Sequence, residues 1–141
     1  TEKYTYLKPD KLLEVDISAH RSMITGVLQK ASQLERDSAL VGHKSGKRLN
    51  KGKRSLELIG SDLRKFDLVG ECLRGAYLIA ADLRGIDFSF TDIIGADLRD
   101  ADIKGANFSK SLFLTQAQIN SAKGDKSTKL PPWIIRPKHW E

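Results

Sequence analysis

Residues 76–105 read AYLIA ADLRG IDFSF TDIIG ADLRD ADIKG, six blocks of five whose third letter is always Leu, Phe or Ile. The same position carries Leu58, Leu63, Leu68 and Leu73 before this stretch and Phe108 and Phe113 after it, so twelve large apolar residues recur at every fifth position. Two residues before them stand mostly small side chains: Ala76, Ala81, Ala96, Ala101 and Ala106, with Ser61, Thr91 and Ser111. One residue before stands mostly Asp or Asn. A period of five is neither the 3.6 of a helix nor the 2 of a strand, so neither backbone keeps these side chains on one face. A fixed period also has to be recognised first, because it decides the architecture.

The string resembles the A-(D/N)-L-X-X motif of the pentapeptide-repeat family over residues 56–115. That resemblance implies an all-β solenoid with helical caps. The family's form is a right-handed quadrilateral β-helix with one pentapeptide per side and four per coil, hence about three coils here. The central apolar residue and the small residue two before it point inward, and alternating large and small lets a narrow interior fill without voids. Gly60, Gly70, Gly75, Gly85, Gly95 and Gly105 end their repeats, at the corners. Leu56, Phe66, Glu71 and Ile86 depart from the small inward pattern. Phe66 suggests a wider start, and Glu71 is expected to turn to solvent.

The flanks read as caps, which repeat arrays need at both ends. We expect an N-terminal helical cap over 1–40, a basic flexible loop over 41–55, the β-helix over 56–115, and a capping helix with an extended tail over 116–141. Ile17, His20, Ile24, Val27, Leu28, Ala31 and Leu34 keep three-and-four spacing and predict an amphipathic helix from about 16 to 37, covering the first coil or one face. A short turn of helix is expected near Pro9 to Glu14. Thr115 with Gln118 forms a capping box, Leu114 and Ile119 sit at staple positions, and Gly124 reads as the terminator of a helix over 116–123. In LPPWIIRPKHW, residues 130–140, Trp133, Ile134, Ile135 and Trp140 should pack in extended form. This ending resembles a bacterial subgroup labelled oxetanocin A resistance proteins, whose members carry a cysteine-rich N-terminal segment. The chain begins at Thr1 without Met, so a preceding segment is expected.

The net charge of +6 is unevenly placed. Residues 1–55 hold 12 Lys/Arg and 6 Asp/Glu, residues 56–115 hold 7 and 10, and residues 116–141 hold 5 and 2. The single cysteine, Cys72, excludes an internal disulfide, and no zinc-type spacing exists. No apolar run reaches the roughly 20 residues of a membrane helix. A cytoplasmic protein with no membrane contact is expected.

No catalytic constellation emerges: His20, His43 and His139 lie on a helix stripe, in a loop and in the tail, and the Asp column belongs to the repeat. We expect no catalytic, cofactor or metal site, and no cofactor. The candidate interaction surface is Ile59, Ile79, Phe90, Ile94, Leu112 and Leu114, with the basic column Arg64, Arg84 and Lys104 beside Asp62, Asp82 and Asp102. The candidate anion-binding loop is Lys44, Lys47, Arg48, Lys51, Lys53 and Arg54. These point to a non-catalytic scaffold for an unidentified protein partner, with antibiotic resistance or stress protection implied by the subgroup. A homodimer is one form that contact could take. Alternatives are weak nucleic-acid binding through loop and tail, and DNA mimicry toward a type II topoisomerase. About three coils at about 4.8 Å match only about four base pairs, which speaks against the latter.

Overall fold

The computed structural model describes residues 11, 16–49 and 57–140. The expected turn of helix near Pro9 lies, apart from Lys11, outside the described residues, as do Leu56, Lys51, Lys53 and Arg54. The chain divides into two compact units, Thr1–Ala31 and Ser32–Glu141.

The expectation of an all-β fold is corrected: among the described residues there is no strand and no sheet, and the regular elements are two helices. What joins the repeats is a set of isolated parallel bridges. Glu57 pairs with Tyr77, Asp62 with Asp82, Cys72 with Asp92, Tyr77 with Asp97, Asp82 with Asp102, Asp87 with Asn107 and Asp92 with Leu112, each pair twenty residues apart. The reason no strand grows is local. In each repeat the central residue's carbonyl accepts the N–H three residues on, as in Ala81 to Leu78 at 3.1 Å, Ile86 to Leu83 at 3.2 Å and Ala96 to Ile93 at 3.0 Å. The third residue of such a turn takes positive φ in type II geometry. Gly85 (φ 69) and Gly95 (φ 66) do so easily, and Ala80 (φ 54), Phe90 (φ 57) and Asp100 (φ 58) do so without that freedom. The backbone therefore stays extended for about one bridged residue before it turns.

The aspartates that precede the central residue cap these turns. The Asp82, Asp97 and Asp102 side chains accept the N–H two residues on at 3.3, 3.1 and 3.2 Å, the Asx arrangement that only a short carboxyl or amide side chain can make. Inside, Leu63 through Phe108 at the central position are buried, with Ala76, Ala81, Ala96, Ala101, Ala106 and Ile86 between them. Phe88 and Phe108, one above the other, stack at 4.3 Å.

Two placements inside this core differ from expectation. Glu71 is buried at 2% exposure instead of facing solvent, because Arg48 Nε reaches its carboxylate at 2.8 Å. At the other end the period slips by one: Phe113 takes φ 63 and is half-buried, while Leu114 turns inward and is 5% exposed.

Helix α1 spans Ile17–Leu40. Asp16 caps its start through Ala19 N–H at 2.9 Å, and Gly42 at φ 76 ends it. In the first unit Ile17, Met23 and Val27 are exposed. In the second unit the helix meets the repeats through Ser32, Arg36 and Leu40 at four-residue spacing, while Leu34 of the apolar stripe stays exposed.

Helix α2 spans Gln116–Ser121, and its Thr115/Gln118 capping box forms as expected. It stops before Gly124 because Lys123 is already bridged to Asp102. Gly124 serves the tail instead, since a Cβ there would lie 2.5 Å from the Trp140 ring. In the tail Ile134 and Trp140 are buried, whereas Trp133 and Ile135 are exposed.

Candidate interaction faces

Twenty-residue stacking gives each of the four pentapeptides in a round its own outward face, with alternate residues pointing out. On the face of 61–65, 81–85 and 101–105, Asp62 accepts Arg64 Nε and Nη2 at 2.9 and 2.7 Å, and Asp82 accepts Arg84 at 2.8 and 2.6 Å. The ladder continues between levels, where Arg64 reaches Asp82 at 3.1 Å and Arg84 reaches Asp102 at 3.9 Å; within the last level Lys104 lies 3.9 Å from Asp102. Hydrogen bonds from Arg64 hold the Asp62 carboxyl well below the usual carboxylate range, and those from Arg84 lower Asp82 against the opposing effect of burial. The charges on this face are spent on one another, which leaves little field for a partner.

The face of 57–60, 76–80 and 96–100 is different. Ile59 is 60% exposed and Tyr77 51%, with Ile79 half-buried between them. Gly60 N–H donates to Ile79 O at 2.8 Å and Ala80 N–H to Arg99 O at 2.9 Å, so the backbone beside these side chains is tied from level to level. Above them Arg99 grips Asp97 through Nε at 2.9 Å and Nη2 at 2.7 Å. Sequence reasoning singled out Ile59 and Ile79 and missed Tyr77. Its signal was present: Tyr77 stands where nearly every other repeat has Asp or Asn.

A third face carries Cys72, Arg74, Asp92, Ile94 and Leu112. Asp92 is fully buried, accepting Ser32 Oγ at 2.6 Å, Arg74 Nη2 at 2.5 Å and Ile94 N–H at 3.1 Å. Ile94 and Leu112 are half-buried, and Leu114 is core, so the expected apolar surface here shrinks. Phe90 is half-buried at a corner with Lys110 Nζ 5.8 Å from its ring.

The fourth face meets residues 43–49. Lys47 O accepts Asp67 N–H at 2.8 Å, as Ser61 O accepts Asp82 N–H at 2.9 Å from twenty-one residues before, so this segment stacks on the repeats one residue out of register. Asp67 Oδ2 accepts Gly46 N–H at 2.9 Å and bonds His43 Nε2 at 2.9 Å. Burial pushes the Asp67 carboxyl up, but these donors outweigh it and hold it below its ordinary value. Arg48 donates to Val69 O at 2.7 Å besides pairing with Glu71, and Lys47 Nζ lies 4.6 Å over the Phe66 ring. Of the expected anion-binding loop, Lys47 and Arg48 are thus engaged, Lys44 is exposed, and Lys51, Lys53 and Arg54 lie outside the described residues.

Among the described residues no three His, Cys, Asp or Glu side chains converge to hold a metal ion. No helix among them is long and apolar enough to cross a membrane.

The family described as Pentapeptide repeats matches residues 72–109 in eight copies. The chain is also similar to the Uncharacterized protein YybG of Bacillus subtilis (strain 168), 57% identical over 140 residues. That alignment covers 99% of this chain and 49% of the relative, so the chain spans about half the relative's length.

Proposed function

Residues 72–109 are pentapeptide repeats, a repeat-protein scaffold, and from that premise we propose that the chain binds another protein on the face of Ile59, Tyr77 and Ile79. The observation that carries this reading is the exposure of Ile59 and Tyr77 on a backbone tied from level to level by hydrogen bonds such as Gly60 N–H to Ile79 O. Side chains held out by such a frame lose little freedom on binding, which favours affinity even for a small contact. Aromatic and branched apolar side chains are also those that anchor interfaces.

Nucleic-acid binding through the basic loop is the weaker reading, because Arg48 and Lys47 are spent on Glu71 and Phe66. DNA mimicry is weaker still, since the acidic column is neutralised by its own arginines.

The test is site-resolved crosslinking in cells. A photoreactive residue at Ile59 should capture a defined protein, the same residue at Arg84 should not, and Ile79→Asp should abolish the capture without lowering the melting temperature. Equal capture from both positions, or capture that survives Ile79→Asp, would overturn the assignment.

A further inference from the structure

We propose that the C-terminal cap is a contact surface for an anionic lipid membrane, with Trp133 and Ile135 entering the interfacial layer and Lys126, Lys129 and Lys138 meeting headgroup phosphates. Trp133 is 63% exposed and Ile135 77%, the latter among the most exposed large apolar residues of the cap. Their exposure is built in. Ile134 between them is buried, and its N–H closes a turn on Pro131 O at 3.1 Å whose tip is Pro132 and Trp133. The backbone of Ile135 is clamped by Gln116, whose Nε2 donates to Ile135 O and whose Oε1 accepts Ile135 N–H, both at 2.8 Å. Ile135, whose backbone N–H and C=O are both paired, can enter a medium without water at little backbone penalty.

Charge identifies the surface. Residues 116–140 hold five Lys/Arg and one acid. That acid, Asp125, is turned to its own loop, accepting Ser127 Oγ at 2.7 Å, Thr128 N–H at 3.0 Å and Gly105 N–H at 3.2 Å. Lys126, Lys129 and Lys138 are exposed and have no carboxylate partner among the described residues. Trp beside exposed Lys is the composition of a membrane-interface anchor. A single-stranded nucleic acid would use the Trp and the cations but would leave Ile135, which has no ring to stack, unexplained.

Trp140 is already buried and Trp133 is not, so a change of tryptophan emission on membrane binding reports Trp133. With the full chain, binding is expected to vesicles of phosphatidylcholine mixed with phosphatidylglycerol and not to phosphatidylcholine alone, accompanied by a blue shift. Trp133→Ala and Ile135→Ala should each weaken it by about tenfold or more, and Lys126→Glu, Lys129→Glu and Lys138→Glu by about fivefold each, with unchanged melting. Three results overturn the proposal: no binding to anionic vesicles at low salt, binding without a blue shift, or tighter binding to single-stranded oligonucleotide with quenched emission. None of these bears on capture at Ile59, which lies on a different surface.

Discussion

At the scale of single residues the informative pair is Arg48 and Glu71. Arg48 stands just before Leu49, which packs against the core, and Glu71 stands where other repeats have Ala. Glu71 is 2% exposed, whereas the Arg48 side chain is 27% exposed and can turn to water. Removing the two partners is therefore not symmetric, because a buried charge that loses a donor is penalised more than a surface cation that loses an acceptor. Arg48→Ala should lower stability by about 3 kcal/mol, Glu71→Ala by less than about 1 kcal/mol, and the double variant should recover most of the loss. Urea denaturation of the three variants checks this; equal losses from both single changes would contradict it. Neither the inward turn of Glu71 nor the slip that buries Leu114 was legible in sequence. A carboxylate is normally an outward residue, and its cation lies 23 residues away (71 − 48 = 23) in a segment of different composition. Phe113 and Leu114 are both apolar, so the pattern alone does not choose which one enters the core.

The elements were legible to different degrees for physical reasons. Thr115 and Gln118 act through bonds to their immediate neighbours, so the start of α2 could be read from four letters. Its end could not: the bridge from Lys123 to Asp102 is a long-range contact, and it overrides the local expectation that Gly124 stops the helix. Strand content failed for a related reason. The period of five correctly pairs residues twenty apart, but a turn after each bridge, most of them with positive φ, leaves no room for a ladder. Gly124 exists for the tail, since its missing side chain seats the Trp140 ring. Gly124→Ala should therefore unseat Trp140 and lower stability by about 1–3 kcal/mol, read as a red shift of tryptophan emission and a lower melting temperature. Thr115→Ala, which removes only a cap, should cost about 1 kcal/mol and leave the emission unchanged.

For the molecule as a whole, the carboxylates of the repeats act in concert. Asp62, Asp82 and Asp97 are lowered by bonds from the arginine two residues on, Asp67 by Gly46 and His43 against the pull of burial, and Asp125 to about 2 by Ser127 and its loop. Each is more acidic folded than unfolded, where the reference is 3.8. A depressed folded value contributes stability that is present above the unfolded value and lost as pH falls through the folded one. Hydrogen bonds to their aspartates push the arginines Arg64, Arg84 and Arg99 further up, so they stay charged at any pH of interest. The urea midpoint should therefore be nearly constant from about pH 8 to 5 and fall steeply between about 4 and 2. Two contributions separate under salt. The ion pairs between levels are exposed and screened, while each Asx bond to a backbone N–H is short and local. Sodium chloride at about 1 M should shift the midpoint little at pH 7 and leave the acid transition in place. Arg84→Ala should then matter less than Asp82→Ala, because only the aspartate also caps its turn. A midpoint that holds steady down to about pH 2.5, or an arginine that outweighs its aspartate, would mean that the aspartates recur for the sake of charge and not of backbone geometry.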